Sequence, residues 1–309
     1  VDCDTYVGTR DGVPRLLEAF EARGIRASFF FSYGPDRSGV AIKRVFTKPG
    51  FLAKMLRSRA VSLYGFPTIL YGTFLASPMI GMRCAPQMKA AARAGHEVGV
   101  HAWDHVGWHD HVDRWPVEKI REEYARAHAE HARIFGSAAR ASAAPGWACN
   151  EKSLAVEAER SLLYTSNTRE GAPFFPSAGG RLFETLEIPS TLPTLDETLA
   201  WPDVETDEAQ VALFRRLARG TEVHSVHVEV EGRSKLPLFC RILDAWIEDG
   251  VTFTTLEDLA REILAGESEI PKRPLARARL RGRGGEVATG WPPSQDTAGG
   301  VERRGFARP

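Results

Sequence analysis

Strand-like and helix-like segments alternate along most of this chain, and no other feature limits its fold as much. Residues 25–32 (IRASFFFS), 97–101 (EVGVH), 141–144, 162–166, 186–188, 222–230 (EVHSVHVEV) and 251–254 read as strands. Residues 13–22, 88–94, 115–135, 151–161, 207–218, 236–248 and 256–264 read as helices, with Gly24 and Gly95 as stops and Pro116 in a first turn. Strands joined through helices imply an α/β fold with a parallel sheet, since a parallel pair needs a helix-sized crossover. About seven units are present, and they fit either an open doubly wound sheet or a closed barrel.

Three clusters carry chemistry. Asp2-Cys3-Asp4 ends the first strand, so period-two alternation points both carboxylates to one face. Carboxylates that close repel unless a cation separates them or one is protonated. In HAWDH, after the 97–101 strand, one helical turn would converge His101 and His105 on one ion, with His109 and His111 as rivals. His227 lies on a late strand, in SVHVE. The carboxyl ends of parallel strands gather at one rim. One carboxylate and two imidazoles leave open positions on a divalent ion, the catalytic rather than the structural pattern. A second carboxylate can take the proton of an attacking water, and a separate His can protonate a leaving amine, which suits amide hydrolysis. The same residue types also suit a Mg²⁺ site for phosphate chemistry or a non-haem iron oxygenase.

Two regions stand apart. Residues 60–82 (AVSLYGFPTILYGTFLASPMIGM) hold no charge, and residues 46–59 mix apolar side chains with Lys48, Lys54, Arg57 and Arg59. Gly65, Pro67, Gly72, Pro78 and Gly81 oppose a lone lipid-exposed helix. The favoured expectation for 46–82 is interfacial contact with an anionic membrane; a buried insertion is the alternative. Residues 272–309 hold nine Lys/Arg against three acidic residues and are rich in Gly and Pro, so a disordered basic tail is expected after a catalytic domain at 1–265. Zero formal net charge gives no case for nucleic acid. Four widely spaced cysteines and no secretory signal suit the cytoplasm. Chemistry-bearing residues appear at once after Val1, and a few preceding residues are expected.

With VDCDTYVGTRDGVPRLLE, ASFFFSYGPDRSG, FLAKMLRSRAVSLYG, HEVGVHAWDHVGWHDH, APGW, IPSTLPTLDE and VHVEVEG in this order, the chain resembles the polysaccharide deacetylases of the NodB-homology type. It is most similar to their ArnD-type branch, which removes formate from undecaprenyl phosphate-linked 4-deoxy-4-formamido-L-arabinose. The resemblance spans residues 1 to about 265. It implies a distorted (β/α) barrel of about seven strands and one divalent ion (Zn, Mn or Co) held by Asp4, His101 and His105. It further implies Asp2 as general base and His227 as general acid, with Trp147 in a groove wall. Arg169 would contact a phosphate or pair with Asp2. The branch commonly has Asp where Asn167 stands, in a place that would orient the base or acid. Glu229 and Glu231 follow His227, and with strand alternation only one face can reach the site. The implied partner is a polyprenyl-phosphate-linked amino sugar, met by a peripheral enzyme on the cytoplasmic face of a bacterial inner membrane, in lipid A modification. A deacetylase of another N-acylated amino sugar, or an inactive carbohydrate-binding homologue, is the alternative.

Overall fold

The computed structural model describes residues 1–41 and 68–291. Along the chain the strands are β1 (Asp2–Cys3), β2 (Ser28–Ser32), β3 (Glu97–Ala102), β4 (Ala141–Ser142), β5 (Tyr164–Thr165), β6 (Phe175–Ala178), β7 (Arg181–Leu182), β8 (Leu186–Glu187), β9 (Lys272–Pro274), β10 (Ala276–Ala278) and β11 (Val287–Thr289). Six form one sheet in the order β1-β2-β3-β4-β5-β8, with every neighbouring pair parallel. Sequential parallel order gives the curled arc of a distorted barrel, as the family resemblance implied; the alternating pattern alone had left an open sheet equally possible.

The seventh place differs from expectation. Residues 222–230 do not form a strand: a single parallel bridge, Asp2↔His227, holds this segment beside β1. The chain then turns into one π-helical turn, Val230–Ser234. Gly232 allows this, because a Cβ there would stand 2.9 Å from the Gly12 backbone. Residues 251–254 are likewise irregular rather than a strand.

The Phe-rich β2 is buried along its whole length, as a strand covered on both faces must be. Phe29 and Phe31 pack with Leu16, Phe20, Met88 and Phe239 in the main core, while Phe30 points the other way, towards Tyr164 and Leu186. The helix expected at 88–94 begins earlier, at Ile80 (Ile80–Arg93), and Ile80 itself is fully buried. The apolar stretch thus ends as the first turn of a core helix. Thr68–Leu70 forms a short 3₁₀ turn ahead of it, and residues 46–67 of the expected interfacial insertion lie outside the described residues.

The expectation of a disordered tail from Lys272 does not hold over 272–291. β9 pairs with β6 in parallel, and β10 with β11 in an antiparallel hairpin. Its arginines are structural: Arg273 lies over the Trp291 ring, Arg281 over Trp201 and Arg283 over Trp147, while Arg277 donates to Asp113 and to the Cys149 carbonyl. Composition suggested a solvated tail because it counts charges without showing their partners. Residues 292–309 lie outside the described residues.

Candidate active site

The site forms at the carboxyl rim of the sheet. Cys3 of β1 turns into the core, fully buried, and places Asp2 and Asp4 on the opposite face, as the alternation predicts. Glu229 fixes the chain after β1: its Oε1 accepts from Asp4 N (3.2 Å), Thr5 N (2.8 Å) and Thr5 Oγ1 (2.8 Å). His101 lies within β3 and His105 opens the helix His105–His111. Asp104 caps that helix, its Oδ1 accepting from Gly107 N at 2.9 Å, and so sets the angle at which His105 enters. The two imidazoles therefore converge across a strand-to-helix junction rather than within one helical turn.

Asp4, His101 and His105 each present one ligand atom, all within 4.8 Å of one another, the single such group among the described residues. His101 Nδ1 donates to the Ala143 carbonyl at 2.7 Å, which directs the lone pair of a neutral ring, on Nε2, towards Asp4 Oδ1 at 3.2 Å. His105 Nε2 stands 3.4 Å from Asp4 Oδ2. Asp4 Oδ1 is shielded from solvent and accepts no hydrogen bond. A carboxylate oxygen facing an imidazole lone pair calls for positive charge between them, so this donor set fits a divalent ion. Burial alone would raise the Asp4 carboxyl, but His105 and His101 hold it below the usual carboxylate range. Burial pulls His105 down to about 3, towards the neutral form a ligand needs. His109 and His111 stand outside the group: His109 pairs with Asp110, and His111 contacts Arg114.

Asp2 faces the same space, and its charge acts on both His101 and His227. Opposite it, His227 Nδ1 lies 3.1 Å from Asp196 Oδ1. Burial works against the imidazolium, yet Asp196, with Asp4 and Asp2, outweighs it and raises His227 well above its ordinary value. The Trp147 ring meets His227 edge-on, with centroids 6.1 Å apart, and Trp147 Nε1 donates to Ser190 Oγ at 3.0 Å. A cavity of about 810 Å³ opens beside Asp2, Trp147, Ser190 and Ser225 and runs beneath the site towards Phe253 and Leu259.

Two sequence-based assignments change. Asn167 does not reach base or acid: its Nδ2 donates to both oxygens of Glu157 (3.0 and 2.9 Å), within a buried cluster with Tyr124 and Ser142. Arg169 does not pair with Asp2, and it is 2 % exposed; it makes a two-pronged pair with Glu197 (2.8 and 3.1 Å) and lies over the Trp147 ring. A buried guanidinium takes the nearest buried carboxylate, because an unpaired charge there is costly. Glu229 and Glu231 are both fully buried; Glu231 Oε2 accepts from His227 N at 3.0 Å. Burial pushes the Glu231 carboxyl up to about 8.

Asp196 was not singled out by its sequence. Thr194-Leu-Asp-Glu197 does read as a capping box, and it opens the short helix Leu195–Thr198, but that pattern marks a helix start and not a neighbour of His227.

The polysaccharide deacetylase family model matches residues 4–164. The probable 4-deoxy-4-formamido-L-arabinose-phosphoundecaprenol deformylase ArnD of Shewanella sediminis (strain HAW-EB3) is 36% identical over 260 residues, covering 84% of each chain. The protein of the same description from Wigglesworthia glossinidia brevipalpis is 30% identical over 284 residues, covering 91% of this chain and 98% of its own. Among solved structures, a probable polysaccharide deacetylase from Pseudomonas aeruginosa PAO1 superposes with TM-score 0.55 at 18% identity, over 84% of this chain and 75% of that one. Puue allantoinase superposes with TM-score 0.53 at 19% identity, over 84% and 74%. At those identities the two structures speak for the fold alone.

Proposed function

This chain belongs to the polysaccharide deacetylase family, and from that premise we propose that it is a metal-dependent deformylase. It hydrolyses the formamide of undecaprenyl phosphate-linked 4-deoxy-4-formamido-L-arabinose to the free amine and formate, in the aminoarabinose modification of lipid A. The observation that carries the hydrolytic part is the Asp4–His101–His105 convergence, with a carboxylate oxygen left without a donor. The substrate assignment is supported by two relatives described as formamido-arabinose deformylases that match over most of both chains.

Asp4, His101 and His105 would hold one divalent ion, of the Zn, Mn or Co type. Bound there, the ion supplies Lewis acidity, polarising the amide carbonyl and acidifying water. Asp2 takes the proton of the attacking water at its carboxylate. His227 delivers a proton to the amine nitrogen as the C–N bond breaks; Asp196 at Nδ1 keeps the ring charged and leaves Nε2 to donate. Glu229 and Glu231 hold the backbones of Asp4 and His227, so ligand and acid keep their separation. Trp147 walls the groove.

The enzyme meets its lipid at the membrane surface. No helix among the described residues is long and apolar enough to cross a bilayer. Phe74 (88 % exposed), Leu75 and Met82 instead expose apolar side chains, and the exposed Arg83 follows Met82 in sequence, a composition that suits peripheral contact with anionic headgroups on the cytoplasmic face. The test is release of amine and formate from the lipid-linked formamido sugar, lost on chelation and restored by a divalent ion. Release from N-acetyl but not N-formyl substrates would reassign the enzyme as a deacetylase; no release from either would leave a carbohydrate-binding protein.

A further inference from the structure

The groove wall is built on an unusual turn. Gly146 (φ 61°) and Trp147 (φ 52°) are both left-handed, a conformation that costs a bulky residue and persists only when its surroundings impose it. Arg283, from the β10–β11 hairpin, reaches into this turn. Its Nη2 donates to the Gly146 carbonyl at 3.1 Å, and its guanidinium carbon lies 4.5 Å from the Trp147 ring centroid. Its Nη1 stands 3.6 Å from Glu197 Oε1, which Arg169 Nη1 also contacts at 2.8 Å. Arg169 lies 4.4 Å from the same Trp147 ring. Two cations therefore share one carboxylate and one indole.

That arrangement touches the acid from both sides. Glu197 adjoins Asp196 in the helix Leu195–Thr198, and Asp196 contacts His227 Nδ1. Trp147 packs edge-on against the same imidazole. Arg283 contacts neither reacting groups nor the His227 ring, yet both supports of that ring lead to it. A second guanidinium beside Arg169 is unfavourable for burial, and a fold needing only to neutralise Glu197 has Arg169 for that purpose.

We propose that Arg283 is a positioning residue: it clamps the left-handed Gly146–Trp147 turn and the Glu197 helix so that Trp147 and Asp196 hold His227 in its proton-donating orientation. The inference deepens the deformylase reading and rests on it for its kinetic arm. The hairpin is thus part of the active-site wall.

The test compares Arg283→Ala with Arg281→Ala in the full chain. Arg281 lies on the same hairpin, paired with Asp203 and over the Trp201 ring rather than the Trp147 ring. Arg283→Ala should lower kcat by about 10- to 100-fold, the cost of a roughly 1 Å misplacement, with KM changed less than about threefold because uniform binding is untouched. Metal content should be unchanged, and Arg281→Ala should keep its kcat. A second readout needs no turnover: the Trp147 indole N–H resonance, assigned through Trp147→Phe, should shift or broaden in Arg283→Ala and stay in place in Arg281→Ala. Equal kinetic losses in both variants, or an unmoved Trp147 resonance, overturn the proposal. Absence of turnover in the unmodified enzyme rejects the deformylase reading, and the resonance then decides the clamp alone.

Discussion

His227 Nδ1 sits 3.1 Å from Asp196 Oδ1, the contact on which the role proposed for the late histidine depends. Asp196 shares burial with the imidazole, and each holds the other charged: the carboxyl falls below its usual range, despite burial, chiefly through the His227 charge, and the imidazolium is favoured in return. In the proposed mechanism an imidazolium so paired keeps its proton at neutral pH and donates it from the other ring nitrogen.

Asp196→Asn should therefore lower kcat by roughly 10²- to 10⁴-fold, the usual contribution of a positioned acid. The sign on pH follows: losing the carboxylate lowers the His227 pKa, so the alkaline limb of the kcat profile moves to lower pH. Metal content should stay at the unmodified level. An alkaline limb that does not move would show that His227 is charged by other groups.

Asp2→Asn should keep the bound metal and lose turnover, whereas Asp4→Asn and His101→Ala should lose metal and turnover together. Metal analysis of purified variants beside amine release separates the two outcomes. Metal loss in Asp2→Asn would move Asp2 into the ligand set.

Arg169→Ala strands Glu197, which is 2 % exposed, without its two-pronged partner. Breaking a buried pair from one side costs about 3–5 kcal/mol. Denaturant unfolding should show that loss, and a change below about 1 kcal/mol would mean that Arg283 compensates fully.

Burial raises the Glu157 carboxyl to about 7, against an ordinary value of about 4.3. A carboxyl with a raised folded-state pKa contributes stability that is complete below its unfolded value and lost as pH rises through about 7. The Tm should accordingly fall between about pH 4.5 and pH 7 and level off above that. Glu157→Gln should flatten that fall, by about 2–4 °C for each kcal/mol involved. Scanning calorimetry at both pH values checks it, and parallel curves for the two proteins would sink the idea.

Phe74→Glu combined with Met82→Glu places charge on two exposed apolar positions, 88 % and 69 % accessible. Co-sedimentation with anionic vesicles should drop several-fold while metal content stays constant. Unchanged sedimentation would locate the membrane contact elsewhere.

The Asp4, His101 and His105 convergence and the shared face of Asp2 and Asp4 were legible in the sequence. Strand alternation alone puts Asp2 and Asp4 together with Cys3 behind them, and the strand ahead of HAWDH carries His101 and His105 to the same rim. These are local rules, set by backbone periodicity over a few residues. The alternating pattern likewise announced a parallel sheet.

What only the tertiary structure decided were the partners. Asp196 and Arg283 come to His227 and its wall from distant segments, and no periodicity links them. Asn167 and Arg169 looked like site residues because they stand in a suggestive stretch, yet burial turned one to Glu157 and the other to Glu197. The basic tail looked solvated, yet its arginines found indole faces and carboxylates. Buried charge must be paired, and the choice of partner is a matter of three-dimensional proximity that spacing along a chain does not encode.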